Sequence, residues 1–243
     1  MKTLIIIPSR MSASRLPGKP LLKVNGKSII SHVFKRAESA DIGEVVVATE
    51  DQEIVNDVKN NGGNVILTSR DHKTGTDRIF EALNLLNKKD INFIMNVQGD
   101  EPDIDIEDIK KLHNNMKNNN KAKIGTLGAK ISNIQTFKKE NVVKVKTKES
   151  FDKNPFPLAE GFFRNIDKNE NIFHHIGIYC YEVEILKKFV SFNQSKNELS
   201  NRLEQLRALD NNIDINVAKA NTSPIGVDTK EDYLAIKKIM EYK

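Results

Sequence analysis

Short apolar runs rich in β-branched residues alternate along the chain with segments whose apolar residues recur at helical spacing. Strands are predicted at 3–7, 45–49, 65–67 and 93–97, and helices around 30–37, 53–59, 79–86 and 109–116. Such alternation is typical of βαβ units, in which parallel strands form a sheet that helices cover on both faces. Ligands of these folds bind at the carboxyl ends of the strands. The loops that follow the predicted strands are therefore the first candidates for a site.

The pattern changes after about residue 120. Strands are predicted there at 124–131, 142–146 and 176–181, with fewer helices between them. The intervening stretch 148–171 is polar and contains two prolines. We interpret this region as a smaller lobe or a dimerisation arm. Helical spacing returns at 199–209, and a strand at 213–217 and a last helix at 233–240 are predicted to follow.

The size and composition indicate a folded protein outside the membrane. A chain of 243 residues suits one large domain, or one domain with an inserted lobe. No apolar run approaches the roughly 20 residues that a bilayer requires, and the apolar N-terminal run is too short for a signal peptide, so it predicts a first strand. The single cysteine, Cys180, excludes an intrachain disulfide and a multi-cysteine zinc site. These features favour a reducing cytoplasm and no insertion into a membrane.

The net charge of +5 is spread along the chain, with lysine often beside asparagine and no aromatic residues interleaved with a basic stripe. This arrangement does not favour nucleic acid as a partner, but it suits a small, highly anionic ligand. Arginine is scarce by comparison, and its rigid fork binds phosphate or carboxylate with two bonds, which lysine cannot copy. Five of the arginines fall in the segments considered below: Arg10, Arg15, Arg78, Arg164 and Arg207.

The loop after the first predicted strand, residues 8–20, contains small residues, a glycine and three cations. Its main-chain N–H groups could hold phosphates beside Ser9, while Arg10, Arg15 and Lys19 neutralise charge. The loop matches neither the Walker A sequence nor the dinucleotide glycine pattern. An exposed basic loop without a ligand is an equally open interpretation.

Two acidic segments are candidate metal ligands. Asp100 follows the strand at 93–97, where Gly99 permits a tight turn, and a carboxylate at that position suits Mg²⁺, which takes one or two carboxylates plus substrate phosphates. Alternatively, Asp100 and Glu101 simply form a turn before a helix that Asp103 caps. Asp228, ahead of the last helix, is a second candidate ligand, but from sequence alone an N-cap role is the more conservative interpretation.

Three further segments remain ambiguous from sequence alone. At 74–78 the start of a helix could bind an anion together with Arg78, or Thr76 or Asp77 could merely cap it. The two histidines at 174 and 175 point to opposite faces of a strand, so a shared metal ion is not expected. The segment 203–207 is predicted to lie on an amphipathic helix, where Glu204 and Arg207 could pair with each other.

Taken together, the segments resemble one family, 3-deoxy-manno-octulosonate cytidylyltransferase, also called CMP-KDO synthetase. Six matching pieces occur in the family's order over nearly the whole chain, at 15–21, 75–78, 96–102, 175–179, 203–207 and 226–229. The resemblance implies a single α/β domain over 1–243 with a three-layer, mostly parallel sheet of the nucleotide-diphospho-sugar transferase type. It also implies a smaller dimerisation lobe at about 130–190, and hence a homodimer.

The resemblance further implies a reaction. CTP and the eight-carbon sugar acid KDO would give CMP-KDO and pyrophosphate with Mg²⁺, for lipopolysaccharide biosynthesis. A Gly-Gly-Ser-Lys stretch of the related sialate enzymes is absent, which favours KDO. Alternatives are a cytidylyltransferase for another ulosonic acid, such as 8-amino-KDO or a sialic-type acid, a nucleotidyltransferase for a sugar phosphate, and a nucleotide-binding module without turnover.

The residue roles carried over from the family are expectations. Arg10 and Lys19 are assigned to the triphosphate and to catalysis, and Asp100 and Asp228 to Mg²⁺ and to catalysis. The nucleotide is expected to contact Ser9, Arg10, Arg15, Lys19, Thr74, Arg78 and Gln98. The sugar acid is expected to contact Arg78, Gln98, Arg164, His175, Tyr179, Glu204 and Gln205. The stretch 149–165 departs from the usual family pattern, and Thr74 stands where the family usually has serine.

Overall fold

The computed structural model describes residues 1–12, 15–131, 133–167 and 170–242. The chain divides into two compact units, one formed by Met1–Ile106 with Pro224–Lys243 and the other by Glu107–Ser223. The predicted dimerisation lobe at 130–190 falls within the second unit, and its role in dimerisation stays a prediction. No helix in the described ranges is long and apolar enough to cross a bilayer.

The first unit is built on a parallel sheet. The strands of this sheet in the unit are β1 Lys2–Ser9, β4 Glu44–Thr49, β5 Val65–Leu67 and β6 Ile91–Asn96, while β2 Lys23–Val24 and β3 Lys27–Ser28 form a separate antiparallel hairpin. β1 pairs in parallel with β4 on one side and with β6 on the other, and β4 pairs in parallel with β5. Residues 4–7 of β1 are fully buried, as expected for a strand covered on both faces. The parallel βαβ arrangement predicted for this part of the chain is therefore confirmed.

Three of the four α-helices described in this unit begin at a side-chain cap, whereas the helix that follows Asp51 does not. The four are α1 Ile29–Ser39, α2 Gln52–Asn60, α3 Gly75–Leu86 and a C-terminal helix, Lys230–Glu241. The hydroxyl of Thr74 accepts the N–H of Asp77 at 3.2 Å, so the expectation that Thr76 or Asp77 caps α3 is wrong.

The C-terminal helix is likewise capped by a threonine. The Thr229 hydroxyl accepts the Asp232 N–H, and the Asp232 carboxylate accepts the Thr229 N–H, which together form a capping box. The alternative in which Asp228 caps this helix is therefore wrong, because the cap lies one residue later. The side chain of Asp228 is left available for other partners.

The second unit has mixed pairing. It contains α4 Ile106–Asn118, β7 Ile124–Ala129, α5 Ile134–Lys138, β8 Lys144–Thr147, β9 Ala159–Phe163, β10 Ile172–Glu182, α6 Val183–Ser191, α7 Lys196–Asn201, α8 Leu206–Asp210 and β11 Ile215–Lys219. β11 is parallel to β7, whereas β10 is antiparallel to both β7 and β8, and β9 is antiparallel to β8. β9 lies in the polar stretch at 148–171 and was not expected from the sequence.

The single amphipathic helix predicted over 199–209 is also wrong. α7 ends at Asn201, Arg202 has a left-handed backbone with φ of 53°, and α8 begins only at Leu206. A non-glycine residue in this conformation cannot continue a right-handed helix. Glu204 and Gln205 therefore lie in the turn between two short helices.

Candidate active site

A cavity of about 320 Å³ lies in the first unit, beyond the carboxyl ends of β1 and β6. This is the edge of a parallel sheet where ligands are expected. It is lined by the residues of this unit that are expected to contact the nucleotide or a metal ion: Ser9, Arg10, Arg15, Lys19, Thr74, Arg78, Gln98, Asp100 and Asp228. Segments that are far apart in the sequence thus contribute to one cavity, while the individual roles of these residues stay predictions.

The two candidate metal ligands converge on one ammonium group. The Nζ atom of Lys19 lies 2.6 Å from Oδ2 of Asp100 and 3.2 Å from Oδ1 of Asp228. The two carboxylate oxygens can therefore be no further apart than the sum of these distances. Arg15 completes the cluster, with Nη2 at 2.8 Å from Oδ2 of Asp228. The geometric condition for a shared cation site, two acids facing one point, is met.

Backbone features of the first loop and of the turn after β6 create this convergence. Gly18 has φ of 75°, a left-handed conformation that favours glycine, and directly precedes Lys19. At Gly99, an added Cβ would lie 2.9 Å from the carbonyl oxygen of Pro8, so only glycine lets the turn approach the end of β1 this closely. Asp100 is held beside the first loop as a result.

A main-chain hydrogen bond brings the distant Asp228 to Asp100. The N–H of Val227 donates to the carbonyl oxygen of Asp100 at 2.9 Å. The Val227 side chain is fully buried in a small cluster with Ile29 and Ile236, which anchors the segment to α1 and the C-terminal helix. Because Asp228 is the next residue, the anchor fixes its position at the cavity.

The charges in the cavity alter the protonation of two groups. For Lys19, burial acts to lower the pKa, but the attraction of Asp100 and then Asp228 outweighs it, so the pKa is raised and the ammonium keeps its proton. For Glu101, burial together with the charges of Asp100 and Asp228 raises the pKa to about 8. Its Oε2 atom is buried and has no hydrogen-bond partner in the described part of the chain. From the sequence, Glu101 is expected only to form a turn.

Arg78 lines the cavity but is already paired. Its guanidinium donates to the Thr68 hydroxyl at 2.6 Å and to the Ser69 carbonyl at 3.1 Å, and it forms an ion pair with Glu50. The Arg78 side chain is only 4% exposed. This arrangement fixes the loop that precedes α3. It also means that an anion in the cavity would meet an arginine whose charge is largely balanced by Glu50.

The cavity has two further cationic or titratable lining residues that the sequence analysis did not select, His72 and Lys73. His72 forms a close contact through Nε2 with the carboxylate of Glu81, which also accepts the N–H of Ser69 at 2.9 Å. The sequence does contain a signal for these two residues, because they immediately precede Thr74 in the segment that opens α3. Lys73 is exposed and adds to the positive charge at the cavity.

The remaining candidate residues belong to the second unit, where His175 and Tyr179 lie together. Nε2 of His175 is 3.1 Å from the Thr126 hydroxyl, and the His175 and Tyr179 rings are 5.5 Å apart between centroids. Burial, with a smaller effect of His174, lowers the pKa of His175 to about 3. Burial also raises the pKa of Tyr179. Both side chains are therefore neutral hydrogen-bonding groups near pH 7.

Arg164 binds the main chain. Its guanidinium donates to the carbonyls of Asn201 at 2.7 Å, Arg202 at 3.0 Å and Glu140 at 3.2 Å. The bonds to Asn201 and Arg202 satisfy carbonyls at the end of α7, just where the helix stops. The expected contact of Arg164 with a sugar acid stays a prediction, and the structure gives this residue a structural role.

Arg207 pairs mainly with Glu198, not with Glu204. Two bonds of 2.5 and 2.8 Å join its guanidinium to the Glu198 carboxylate, and both side chains are almost fully buried. Oε1 of Glu204 is 3.8 Å away, so the pairing considered in the sequence analysis is the weaker one. Gln205, the next candidate, is buried in the turn between α7 and α8.

The chain is similar to known proteins in sequence and in structure. The family model described as cytidylyltransferase matches residues 4–215. The 3-deoxy-manno-octulosonate cytidylyltransferase of Thermodesulfovibrio yellowstonii is 42% identical over 252 residues, covering 99% of this chain and 98% of its own. The chain belongs to this family. A second 3-deoxy-manno-octulosonate cytidylyltransferase, from Hahella chejuensis, is 39% identical over 246 residues and covers 97% and 96%.

A solved member of the family has the same fold. The structure of CMP:2-keto-3-deoxy-manno-octonic acid synthetase complexed with CTP matches with a TM-score of 0.89 and 32% identity, covering 100% of this chain and 99% of that chain. The predicted three-layer α/β fold with a mostly parallel sheet, and the resemblance to 3-deoxy-manno-octulosonate cytidylyltransferase, are thereby confirmed.

The donors at the cavity suit a hard divalent cation. Within the described residues, no three histidine, cysteine or acidic side chains form a metal-binding cluster. Two converging carboxylates are instead the donor set that Mg²⁺ uses when substrate phosphates supply the remaining oxygens.

Proposed function

We propose that this protein transfers the CMP group of CTP to KDO, giving CMP-KDO and pyrophosphate. Support comes from membership in the 3-deoxy-manno-octulosonate cytidylyltransferase family and from the similar structure that was solved with CTP. The observation that carries the proposal at the level of chemistry is the cavity in which Lys19, Arg10 and Arg15 stand beside the acid pair. A polyphosphate with a bound cation is the ligand that such mixed charges fit.

The cationic residues address the main obstacle, the repulsion between a triphosphate and a sugar acid. Arg10, Arg15 and Lys19 line one cavity, so their positive charges act together on a ligand there. As the sugar hydroxyl bonds to the α-phosphorus, the bond from that phosphorus to pyrophosphate breaks and the hydroxyl loses its proton. Negative charge grows on the departing oxygens, where fixed cations lower the barrier.

We further propose that Asp100 and Asp228 hold Mg²⁺. Their oxygens already converge on a cation, the ammonium of Lys19, and carboxylate oxygen is the donor that Mg²⁺ prefers. When bound, Mg²⁺ would neutralise phosphate charge and favour ionisation of a hydroxyl group. The task of the protein is to keep the two carboxylates at fixed positions, which the turn at Gly99 and the anchor at Val227 accomplish.

Release of pyrophosphate from CTP that depends on both KDO and Mg²⁺ tests the reaction. We expect CTP to be preferred over UTP and GTP, and competition with 8-amino-KDO and sialic acid to identify the sugar acid. The absence of pyrophosphate release over a range of Mg²⁺ concentrations would contradict the proposal. Binding of CTP without turnover would instead favour a nucleotide-binding module.

Replacement of Asp100 tests the metal assignment. Asp100→Asn should lower kcat/KM by at least about a hundredfold while the circular-dichroism spectrum and melting temperature stay close to those of the wild type. Asp71→Asn, an exposed aspartate on the loop before α3, is the matched control. Near-normal activity of Asp100→Asn would remove this carboxylate from the reaction.

We also propose a homodimer formed through the region 130–190, a cytoplasmic location and a role in lipopolysaccharide biosynthesis. The family resemblance supports all three, and the single buried cysteine suits a reducing compartment. Light scattering after size-exclusion chromatography tests the dimer, and a monomeric mass at micromolar protein would contradict it. Cell fractionation tests the location.

A further inference from the structure

The acid pair of the cavity is bound by cations from the chain itself. Oδ2 of Asp100 and Oδ1 of Asp228 both accept a bond from Lys19, and Oδ2 of Asp228 accepts one from Arg15. Three of the four carboxylate oxygens are therefore in contact with a positive charge. Both oxygens of Asp228 are among the three, so this aspartate has a cation on each side.

A divalent ion on both aspartates would have to share these oxygens. Mg²⁺ binds carboxylate oxygen at about 2.0–2.1 Å, whereas Lys19 lies at 2.6 Å from Asp100 and 3.2 Å from Asp228. Two cations on one oxygen would stand only a few ångströms apart. Since the Lys19 side chain is only 15% exposed, little water screens the repulsion between them. Lys19 and a metal ion on the same oxygens therefore oppose each other.

Lys19 and Arg15 also line the cavity in which a triphosphate would be bound, so phosphate oxygens offer them a second set of partners. We propose that these two side chains are resident counter-ions of the acid pair, which compete with the divalent cation and pass to the triphosphate when the nucleotide enters. The inference rests on the proposed function. It means that CTP binding strengthens metal binding by removing a competing charge from the carboxylates.

Metal affinity without nucleotide is the decisive measurement. We expect Lys19→Met to bind Mn²⁺, followed by electron paramagnetic resonance, about tenfold more tightly than the wild type, because the competing charge is gone. Lys19→Arg, which keeps the charge, should remain close to the wild type. Lys27→Met, an exposed lysine of β3, controls for the change in net charge. In the wild type, adding CTP should raise the affinity, and in Lys19→Met it should raise it less.

A stability measurement protects the test against a poorly folded variant. Lys19→Met leaves two acids without their shared cation, so its melting temperature without metal should fall. Added Mn²⁺ should then raise the melting temperature of Lys19→Met more than that of the wild type, because tighter binding to the folded state stabilises it further. An equal or smaller rise in the variant counts against the proposal.

The outcomes separate this inference from the metal assignment itself. If Asp100→Asn loses Mn²⁺ binding but Lys19→Met binds Mn²⁺ no more tightly than the wild type, the counter-ion proposal is overturned and the metal assignment stands. The counter-ion proposal is likewise overturned, and the metal assignment stands, if neither the wild type nor Lys19→Met binds Mn²⁺ detectably without nucleotide. If Asp100→Asn binds Mn²⁺ like the wild type with CTP present, the metal assignment fails and the counter-ion proposal with it.

Discussion

Replacing Glu101 by glutamine should stabilise the folded protein increasingly as the pH rises from about 5 to about 8. The Oε2 atom of Glu101 is buried without a hydrogen-bond partner in the described ranges, and burial, Asp100 and Asp228 raise its pKa from the ordinary 4.5 to about 8. The folded protein therefore keeps a proton on Glu101 at pH values where the unfolded chain has released it. The free energy of unfolding therefore falls as the pH rises, until the pH passes the pKa of Glu101 in the folded protein.

The size of the effect follows from the pKa shift. Where the folded state holds one more proton than the unfolded state, the free energy of unfolding falls by up to about 1.4 kcal/mol per pH unit. Between about pH 5.5 and about pH 7.5 the loss is about 2–3 kcal/mol. Glutamine has nearly the same shape as the protonated acid but has no proton to lose, so Glu101→Gln lacks this loss. The stability difference in favour of the variant should grow by that amount over the same range.

Equilibrium urea unfolding at several pH values, without divalent cations, measures the difference. Glu53→Gln removes the same charge at an exposed position on α2 and shows how much of the slope comes from net charge alone. A difference between Glu101→Gln and the wild type that stays constant, or shrinks, as the pH rises would refute the reasoning. It would mean that Glu101 is already ionised in the folded protein and has a cationic or hydrogen-bonding partner.

Three further replacements test structural assignments. Arg207→Met should lower the free energy of unfolding in urea by about 3–5 kcal/mol, because it leaves the buried Glu198 carboxylate unpaired, and a double variant with Glu198→Leu should recover much of this loss. Gly99→Ala should lower the free energy of unfolding by about 1–3 kcal/mol and slow CTP turnover, because the new Cβ would meet the Pro8 carbonyl. An unchanged melting temperature and an unchanged rate would contradict the close approach. The Cys180 thiol is buried, and burial raises its pKa, so a thiol reagent should label it only after unfolding. Rapid labelling of the native protein would contradict this. Cys180→Ser should stay active.

The strands of the first unit could be predicted because each is a compact apolar run. The predicted strand at 65–67 coincides with β5, and β4 begins at Glu44, one residue before the predicted start. A parallel strand that is buried on both faces is apolar along its whole length, so local sequence is sufficient to identify it. The turn residues at Gly99 and Asp100 follow from the same logic, because they come directly after such a strand.

The helix predicted at 199–209 was wrong for a reason that local spacing does not contain. The leucines there recur at helical intervals, yet the chain breaks at Arg202, where the carbonyls of Asn201 and Arg202 are bound by Arg164. The residue that holds the break is more than 35 positions away in the sequence. Apolar periodicity depends only on neighbours along the chain, so it predicts a continuous helix through such a point.

The candidate site was predictable as a set of residues but not as a set of interactions. Nine selected residues meet at one cavity, yet the pairing of Lys19 with both acids, of Arg78 with Glu50, and the burial of Glu101 depend on contacts between distant segments. Asp228 illustrates the difference. Its sequence position suggested a helix cap, and only the main-chain bond from Val227 to Asp100 shows why it faces the other acid.

The order in which the chain is made has a consequence for when the acid pair can form. Asp100 and Lys19 lie in the opening stretch of the first unit, whereas Asp228 belongs to the segment that rejoins this unit after residues 107–223. A ribosome must therefore translate the whole intervening unit before the second carboxylate exists. A nascent chain cannot pair Asp228 with Lys19, or bring it to Asp100, until the segment that begins at Pro224 has been made.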